Sequence, residues 1–361
     1  MTLFHAGFDP SGKPVRVRFD LGGRKDLSSE LDHVGGTKAL ILTTPQQTDQ
    51  GAEVAAGLGN AAVGLFSNAT MHTPVEVTEM AMAALAECGA DCLIAVGGGS
   101  TIGLGKAIAY RTDLPQIVIP TTYAGSEATP VLGQTENGRK STLRSAKVQP
   151  EAIVYDAELV RDLPLYPSVT SGLNAMAHSV EALYAENANR FSSELALAGL
   201  KAFIRGLPRV AAAPRDLGAR EDTLFGAWLC GSMLDQGGMA LHHKLCHTLG
   251  GALNLPHAET HAVILPQATA YNERTVPEKL APLAELLGAG TAAAGLFDFS
   301  RSLGAPTDLR ALGVEERDLD EIASEAARNP YWNPVPIEER AIRELLQNAF
   351  EGRRPATGER Q

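Results

Sequence analysis

Short apolar runs alternate with helical patterns through the first half of the chain. Four runs predict strands, at residues 38–44, 62–66, 92–96 and 116–120. Helical spacing of apolar positions fills two of the intervals, from Pro45 to about Leu58 and again over 75–87. Strands that are apolar throughout and alternate with helices are typical of a parallel sheet covered on both faces, and such sheets bind ligands at the carboxyl ends of their strands.

The pattern changes beyond Asp156. Before that point a hairpin is predicted through Asn137 and Gly138, and residues 153–156 return to the sheet. Strand-like runs then disappear, and long amphipathic helical patterns follow at 167–187, 193–213, 220–236 and onward past 337. We therefore expect an α/β dinucleotide-binding domain with a parallel sheet over residues 1–160 and an all-α catalytic domain over residues 161–361.

Composition and charge narrow the range of partners. The chain has 361 residues and a formal net charge of -11, and no basic run offsets that charge. This balance argues against a nucleic-acid or anionic-membrane partner. No apolar stretch of membrane length and no signal-peptide pattern is visible, which predicts a cytoplasmic protein without a membrane partner. The cysteines have neither metal-ligand nor disulfide-scaffold spacing, so reduced thiols are expected.

A glycine-rich turn follows the third predicted strand. Gly97, Gly98, Gly99 and Ser100 open a helix there, and bare amides at a helix N-terminus suit a pyrophosphate. The spacing departs from the standard dinucleotide fingerprint, because Ile102 occupies the place of the last glycine. A glycine turn between strand and helix is also a common structural solution, so this loop alone leaves both interpretations open.

Hydroxyl groups follow the fourth predicted strand. Thr121, Thr122 and Ser126 lie among small residues there. They can hold a sugar, a phosphate or a nicotinamide carboxamide, or Thr122 or Ser126 can simply cap a helix.

Histidines cluster in the second half of the chain. Residues 237–257 contain four of the nine histidines, and a helix over 240–252 would place His243 and His247 one turn apart on one face. Pro256 ends that helix, so His257 can return toward the same face. Asn174 and His178 repeat the four-residue spacing upstream.

The structural alternative is that these are buried or surface histidines without a function. A single histidine on an apolar helix usually has no function. Burying several histidines without a function, however, costs desolvation free energy for each ring. The cluster therefore favours a functional site. His242 and His261 lack the spacing and are interpreted as packing residues, as is Cys246.

The combination of a Gly-Gly-Gly-Ser loop, a Pro-Thr-Thr segment and a histidine-bearing helical half resembles the iron-containing (group III) alcohol dehydrogenase family. Within it, the segments at 43–47, 120–127, 133–139 and 241–251 most resemble the subgroup that reduces maleylacetate. The resemblance implies reduction of the carbon–carbon double bond of maleylacetate to give 3-oxoadipate, late in the breakdown of aromatic rings. It also implies a reduced nicotinamide cofactor, a small dicarboxylate substrate and a homodimer.

The resemblance places the family's metal ligands on Asn174, His178, His243 and His257, and a further active-site histidine on His247. Asn174 departs from the family, whose metal-binding members have aspartate there, and an amide is a poor replacement for a carboxylate. Gly103 is a second departure, where many members have aspartate. We therefore expect no bound catalytic metal. Our hypothesis is that His243 and His247 flank the substrate as electrophile and proton donor, and that His178, His257 and Asn174 orient them.

The sequence specifies the contacts to cofactor and substrate less well than it specifies the histidine cluster. The ends of the first two predicted strands carry Thr43, Gln46 and Asn68, with neither an acidic residue nor an arginine, so use of both NADH and NADPH is expected. Tyr123, on the hydroxyl-rich segment, can touch nicotinamide or substrate. Cations must hold the substrate carboxylates, and the candidates are Arg139, Lys140, Arg144 and Lys244. Residues 329–336 form a turn-rich segment that either caps the cleft or packs as an ordinary loop.

Three other functions stay open. A metal-dependent alcohol dehydrogenase or aldehyde reductase would tolerate Asn174 as a ligand. A cyclising lyase like dehydroquinate synthase would show no net cofactor oxidation. A non-catalytic nucleotide-binding module would leave the histidine cluster unexplained.

Overall fold

The computed structural model describes residues 2–6, 14–136 and 139–356, with the backbone alone at 2–6, 139–140 and 235–236. The chain forms two compact units. The first extends to Leu163 and includes Arg215–Leu224, and the second contains Pro164–Pro214 and the residues from Phe225 onward. The division at residue 160 into two domains stays a prediction.

The first unit is built around a parallel sheet. Its strands are β1 Thr2–Ala6, β2 Val15–Phe19, β3 Ala39–Leu42, β4 Ala62–Phe66, β5 Cys92–Gly97, β6 Gln116–Pro120, β7 Val131–Glu136, β8 Arg139–Arg144 and β9 Ala152–Tyr155. Seven of them form one sheet in the order β1-β2-β9-β6-β5-β3-β4. Strand β1 is antiparallel to β2, and the other six run parallel. Strands β7 and β8 form the expected hairpin, although Asn137 and Gly138 lie outside the described residues.

Helices cover both faces of this sheet. They are α1 Ser28–Val34, α2 Thr48–Leu58, α3 Val75–Cys88, α4 Gly99–Thr112 and the short α5 Ala157–Val160. Alternate residues of the strands point to opposite faces, so Ile41 packs with Val54 of α2 while Leu42 packs with Leu85 of α3 and other residues of that face. Strands β3, β5, β6 and β9 are buried along their whole length. This explains why continuous apolar runs predicted them.

The strand order places a crevice beside β3. Strand β4 lies on one side of β3, and the chain then crosses to β5 on the other side. A reversal of this kind separates the loops at the carboxyl ends of β3 and β5, which is where open α/β sheets bind ligands.

The sequence analysis gave no prediction for β1 and β2. In β2 the residues alternate as Val-Arg-Val-Arg-Phe, and Arg18 is nevertheless buried because its Nη1 donates to Glu30 Oε2 at 2.8 Å. A segment with buried arginines does not read as a central strand, which is why the apolar-run criterion missed it.

The second unit is helical throughout its described residues. Its helices are α6 Leu165–Leu183, α7 Arg190–Ala212, α8 Leu217–Gly237, α9 Leu241–Leu253, α10 His257–Glu273, α11 Pro277–Leu286, α12 Ala292–Ser302, α13 Leu319–Arg328 and α14 Glu339–Glu351, with the start of α8 belonging to the first unit. None of the helices described here has the length and hydropathy needed to span a bilayer.

Helix α6 lies at the centre of this unit. It is buried from Ser168 to Leu183 and packs against α7 and α10. Helix α9 ends at Asn254, whose φ of 51° is left-handed, and Pro256 then starts the turn into α10. The predicted end of the histidine-bearing helix is confirmed, and His257 becomes the first residue of α10.

A single buried arginine explains why the chain returns to the first unit. Arg220 is fully buried and donates to Tyr123 Oη at 3.0 Å and to the carbonyl oxygens of Arg161 and Leu163 at 3.2 and 2.7 Å. An unpaired guanidinium would be costly in such a place, so these bonds hold the start of α8 on the first unit.

Candidate active site

The carboxyl ends of the parallel strands meet at one edge of the first unit. The amide of Thr43 donates to the carbonyl of Phe66 at 3.0 Å, and the amide of Thr121 donates to the carbonyl of Gly97 at 3.1 Å. These bonds link the ends of β3, β4, β5 and β6, which carry the residues expected to hold a dinucleotide.

The glycines of the loop after β5 have two different roles. A Cβ on Gly97 would lie 2.3 Å from Thr101 Oγ1, and one on Gly98 would lie 2.8 Å from Thr122 Cγ2, so protein packing alone requires glycine at both. A Cβ on Gly99 would meet nothing within 4 Å. Gly99 is exposed and starts α4, so its amide borders open space suited to a phosphate at the helix N-terminus.

Hydroxyl groups surround this loop. Thr43 Oγ1 and Ser126 Oγ are buried and have no hydrogen-bond partner among the described residues, which fits groups that bind a ligand. Thr121 Oγ1 instead accepts from Gln47 Nε2 at 2.6 Å. Gln46 and Asn68 have exposed side chains at the ends of the same strands. The residues present fit a dinucleotide, and Gln47 is a contributor that the sequence analysis missed.

A buried lysine shapes the segment after β6. Lys106 Nζ donates to the carbonyl oxygens of Ser126 and Thr129, both at 2.6 Å, and to that of Val131 at 3.0 Å. A buried ammonium surrounded by carbonyl oxygens fixes the backbone around it. The position of Ser126 therefore depends on Lys106, which was not among the expected site residues.

Tyr123 belongs to the first unit and is fully buried. Its hydroxyl accepts the hydrogen bond from Arg220, and burial raises the pKa of the phenol. The hydroxyl thus has a structural partner, and the catalytic role assigned to Tyr123 stays a prediction.

The histidines of the second unit lie together. Ring centroids are 5.1 Å apart for His178 and His243, 6.0 Å for His243 and His247, and 4.3 Å for His257 and His261. The histidines that spacing alone assigned to one centre therefore come from α6, α9 and α10. Burial lowers the pKa of His178 well below its usual value, and the neighbouring imidazoles lower it further, so this ring is neutral.

Five polar atoms in this cluster have no hydrogen-bond partner among the described residues. Three lie at the position of the family's metal, Asn174 Oδ1, His178 Nδ1 and His243 Nε2, and the other two are His242 Nδ1 and His261 Nε2; all five side chains are buried. Buried polar atoms are rarely left without partners, so these atoms point to a polar ligand.

Glu181 is the main site residue that the sequence analysis missed. It is 1 % exposed, and its Oε2 lies 2.6 Å from His243 Nδ1. Asn174, His178 and Glu181 follow one another at intervals of four and three residues, which places them on one face of α6. That spacing, on a helix where Glu181 is the one charged residue, was the available signal.

The segment at 329–336 is attached to the histidine cluster. The hydroxyl of Tyr331 lies 3.0 Å from His247 Nδ1, and Lys244 Nζ lies 5.6 Å from the centre of the Tyr331 ring. Asn333 exchanges amide hydrogen bonds with Asn272 of α10 at 2.9 and 2.7 Å. The segment therefore contributes directly to the surroundings of His247.

His242 and His261 also belong to the cluster. Their rings are fully buried, His242 Nε2 lies 2.9 Å from His261 Nδ1, and each ring centroid is 5.2 Å from that of His243. Burial lowers the pKa of both well below the usual value. They pack as expected, but against His243, which sequence spacing alone did not indicate. Cys246, whose Sγ lies 3.6 Å from His242 Nε2, is buried with them.

The donor set at the family's metal position carries one negative charge less than the resemblance implies. Asn174, His178, His243 and His257 supply one amide and three imidazoles, and an uncharged set holds a divalent cation less tightly than a set with a carboxylate. Among the described residues, the group of histidine, cysteine and acidic ligand atoms within 4.8 Å of one another is instead His242, Cys246 and His261. The hydrogen bond between the two imidazoles of that group already occupies the nitrogens that face each other.

The candidate cations differ in how they are placed. The side chains of Arg139 and Lys140 lie outside the described part of the chain. Arg144 is exposed in β8 of the first unit, whereas Lys244 is half-buried on α9, one residue after His243. Lys244 is therefore the candidate that belongs to the same helix as the central histidines.

Comparison with known proteins follows the same division of the chain. A family model described as iron-containing alcohol dehydrogenase matches residues 14–157, and one described as the C-terminal part of the Fe-containing alcohol dehydrogenase family matches residues 168–350. The chain is 58% identical over 342 residues to maleylacetate reductase of Rhizobium sp. (strain MTP-10005), covering 95% of this chain and 97% of the relative. It is 49% identical to maleylacetate reductase of Burkholderia cepacia, covering 94% and 97%.

A solved structure gives the same result. The crystal structure of maleylacetate reductase from Agrobacterium tumefaciens superposes with a TM-score of 0.92 at 58% identity, covering 97% of this chain and 100% of that one. The chain belongs to the iron-containing alcohol dehydrogenase family.

Proposed function

We propose that this protein reduces the carbon–carbon double bond of maleylacetate to give 3-oxoadipate, with NADH or NADPH as the reductant. High identity to maleylacetate reductases over nearly the whole chain supports the proposal. The structural observation that carries it is the set of three buried, unpartnered polar atoms on Asn174, His178 and His243, in a donor set without a charged metal ligand. Such a set binds a polar substrate better than a cation.

The reaction requires stabilisation of negative charge. When bound, a reduced nicotinamide would supply the hydride for the alkene carbon β to the ketone. The electron pair of the double bond moves toward the carbonyl oxygen, and a proton then adds to the α carbon. Hydrogen-bond donors placed at that oxygen before the reaction lower the barrier, because they need no rearrangement as charge develops.

The histidines supply these donors. His243 and His247 act as electrophile and proton donor, and Asn174, His178 and His257 orient the substrate and the two rings. Because His178 is neutral, it binds through hydrogen bonding rather than charge. Glu181 provides a negative partner for His243, and the Tyr331 hydroxyl contacts His247. Imidazoles suit proton transfer near neutral pH.

Lys244 anchors one carboxylate of the substrate. It lies on α9 between His243 and His247 in sequence, and its ammonium is near the face of Tyr331. A cation at this position attracts a dicarboxylate to a protein whose net charge is negative.

The remaining assignments rest on the sequence alone. The homodimer, the cytoplasmic location and the use of both NADH and NADPH stay predictions. The rival functions are less favoured, because a metal-dependent dehydrogenase or a cyclising lyase needs the charged ligand that Asn174 does not provide.

Substitution of the central histidines tests this function. We expect His243→Ala and His247→Ala to lower kcat for maleylacetate by about 100-fold or more each, in line with the loss of a general acid or electrophile. The exposed His33, on α1, gives a matched control, and His33→Ala should leave kcat unchanged. Turnover near wild type in the folded His243→Ala, His247→Ala double variant would contradict the proposal.

A further inference from the structure

Glu181 makes more contacts than a buried structural carboxylate needs. Its Oε2 accepts from the amide of Ala240 at 2.8 Å, and its Oε1 accepts from the amide of His242 at 2.7 Å. Ala240 and His242 lie at the start of α9, so Glu181 caps that helix from α6. The same Oε2 lies 2.6 Å from Nδ1 of His243.

A second carboxylate in the same unit caps a helix without contacting a histidine. Glu273 of α10 accepts from the amides of Ala292 and Ala293 at 2.7 and 3.0 Å, at the start of α12. Both carboxylates therefore satisfy two amides of a helix N-terminus, where negative charge is favourable. Only Glu181 adds a bond to an imidazole.

The hydrogen bonds from the amides of Ala240 and His242 fix the orientation of the Glu181 carboxylate toward His243. Because each oxygen of Glu181 is held by an amide, the carboxylate cannot rotate away from His243. A carboxylate is an acceptor, so His243 must donate from Nδ1, which leaves Nε2 as its second nitrogen. Nε2 is the atom of His243 that is buried without a partner among the described residues.

We propose that Glu181 is a positioning residue: it accepts a hydrogen bond from His243 Nδ1 and so directs Nε2 to the substrate, to which the ring donates when it carries a proton on each nitrogen. This inference rests on the proposed function, because it names the nitrogen of His243 that faces the ligand. Glu181 does not itself touch the substrate. Its role is comparable to a carboxylate that fixes the tautomer of a histidine in other enzymes.

The variant Glu181→Gln tests this directly. The glutamine amide offers one acceptor oxygen in place of two and carries no negative charge, so it cannot satisfy both backbone amides and also stabilise a His243 ring protonated on both nitrogens. We expect kcat for maleylacetate to fall at least about tenfold, with KM changed by less than about threefold. The matched control Glu273→Gln should lose a similar amount of thermal stability and keep wild-type kcat.

A spectroscopic readout separates this role from folding and from activity. In protein labelled with 15N-histidine, the His243 signals are identified by their loss in His243→Gln. We expect the wild type to show a proton on His243 Nδ1 that is shifted downfield by its bond to the carboxylate, and Glu181→Gln to lose that shifted signal. Glu181→Asp, which keeps the charge, should recover part of kcat and of the shifted Nδ1 signal.

The outcomes distinguish the two proposals. If wild-type protein does not oxidise NADH with maleylacetate, the proposed function fails, and the NMR signal still decides the role of Glu181. A wild-type His243 protonated only on Nε2 would overturn the inference even if Glu181→Gln failed to fold. Equal losses of kcat in Glu181→Gln and Glu273→Gln would also overturn it, because capping alone would then explain the effect.

Discussion

The amide group of Asn174 changes the chemistry expected of the whole histidine cluster. A carboxamide occupies a position where the sequence resemblance implies aspartate in metal-binding relatives, and its Oδ1 is buried without a partner among the described residues. The imidazoles around it include three, His178, His242 and His261, whose pKa is lowered by burial. Positive charge at this site therefore does not come from those three rings.

Lys244→Met tests the contribution of the Lys244 cation. If Lys244 holds a substrate carboxylate, its loss should raise KM for maleylacetate by about 10- to 100-fold, the range for a hydrogen bond to a charged group, with a smaller change in kcat. Lys201, exposed on α7, provides the control, and Lys201→Met should leave steady-state kinetics unchanged. An unaltered KM in Lys244→Met would assign the carboxylate to another cation.

At the scale of elements, the site depends on where helices begin. Helix α4 begins at Gly99, α9 begins beside Glu181, and α10 begins at His257. The sequence predicted the break before α10, because Pro256 lies there. It did not predict that α6 caps α9, since this contact joins residues about sixty positions apart and no local pattern records it.

Gly99→Ala separates cofactor binding from packing. The added methyl meets nothing within 4 Å, so the urea midpoint should stay at or above that of the wild type. We expect KM for NADH to rise roughly tenfold, because the methyl occupies the space next to the helix amides that a phosphate needs. Gly290→Ala, also without a neighbour within 4 Å, should change neither quantity. An unchanged KM for NADH in Gly99→Ala would place the pyrophosphate elsewhere.

The segment at 329–336 acts as an element of the site through Tyr331. Tyr331→Phe removes the hydroxyl 3.0 Å from His247 Nδ1 and keeps the ring beside Lys244. We expect kcat to fall about 2- to 10-fold, the size of one hydrogen bond, while the fold is retained. Tyr110→Phe changes an exposed tyrosine of α4 and should have no effect. If both variants behave like the wild type, the segment is ordinary loop packing.

At the scale of the whole molecule, apolar periodicity predicted most of the architecture. Strands β4 and β6 were predicted at their observed bounds because both are apolar throughout, although only β6 is buried along its whole length and β4 lies at the edge of the sheet. The return of Arg215–Leu224 to the first unit was not predictable, because it depends on hydrogen bonds from one buried guanidinium. The histidine cluster was predictable from helical spacing, whereas Glu181, His261 and Tyr331 joined it only through tertiary contacts.

Buried neutral histidines should make the stability of the molecule pH-dependent. The pKa of His242 and His261 is lowered below the usual 6.5, so the unfolded chain binds protons that the folded chain does not. Their contribution to stability is complete above pH 6.5 and is lost as the pH falls toward the folded pKa, by up to about 1.4 kcal/mol per pH unit for each ring. Urea unfolding between pH 8 and 5.5 measures this slope.

Substitution of one of these two histidines tests whether it causes the pH dependence of the free energy of unfolding. His261→Gln should unfold with a shallower dependence on pH than the wild type, whereas His33→Gln, at an exposed position, should keep the wild-type dependence. Equal slopes for His261→Gln and the wild type would show that His261 titrates in the folded state as it does in the unfolded chain.

The central claim is that the cluster of histidines with Asn174 supports maleylacetate reduction without a metal. The most direct measurement is the loss of NADH absorbance with maleylacetate, in protein whose metal content has been assayed and then removed with a chelator. The account predicts rapid oxidation of NADH that added Fe²⁺ or Zn²⁺ does not increase. No oxidation until one of these ions is restored would contradict it and would make Asn174 a metal ligand.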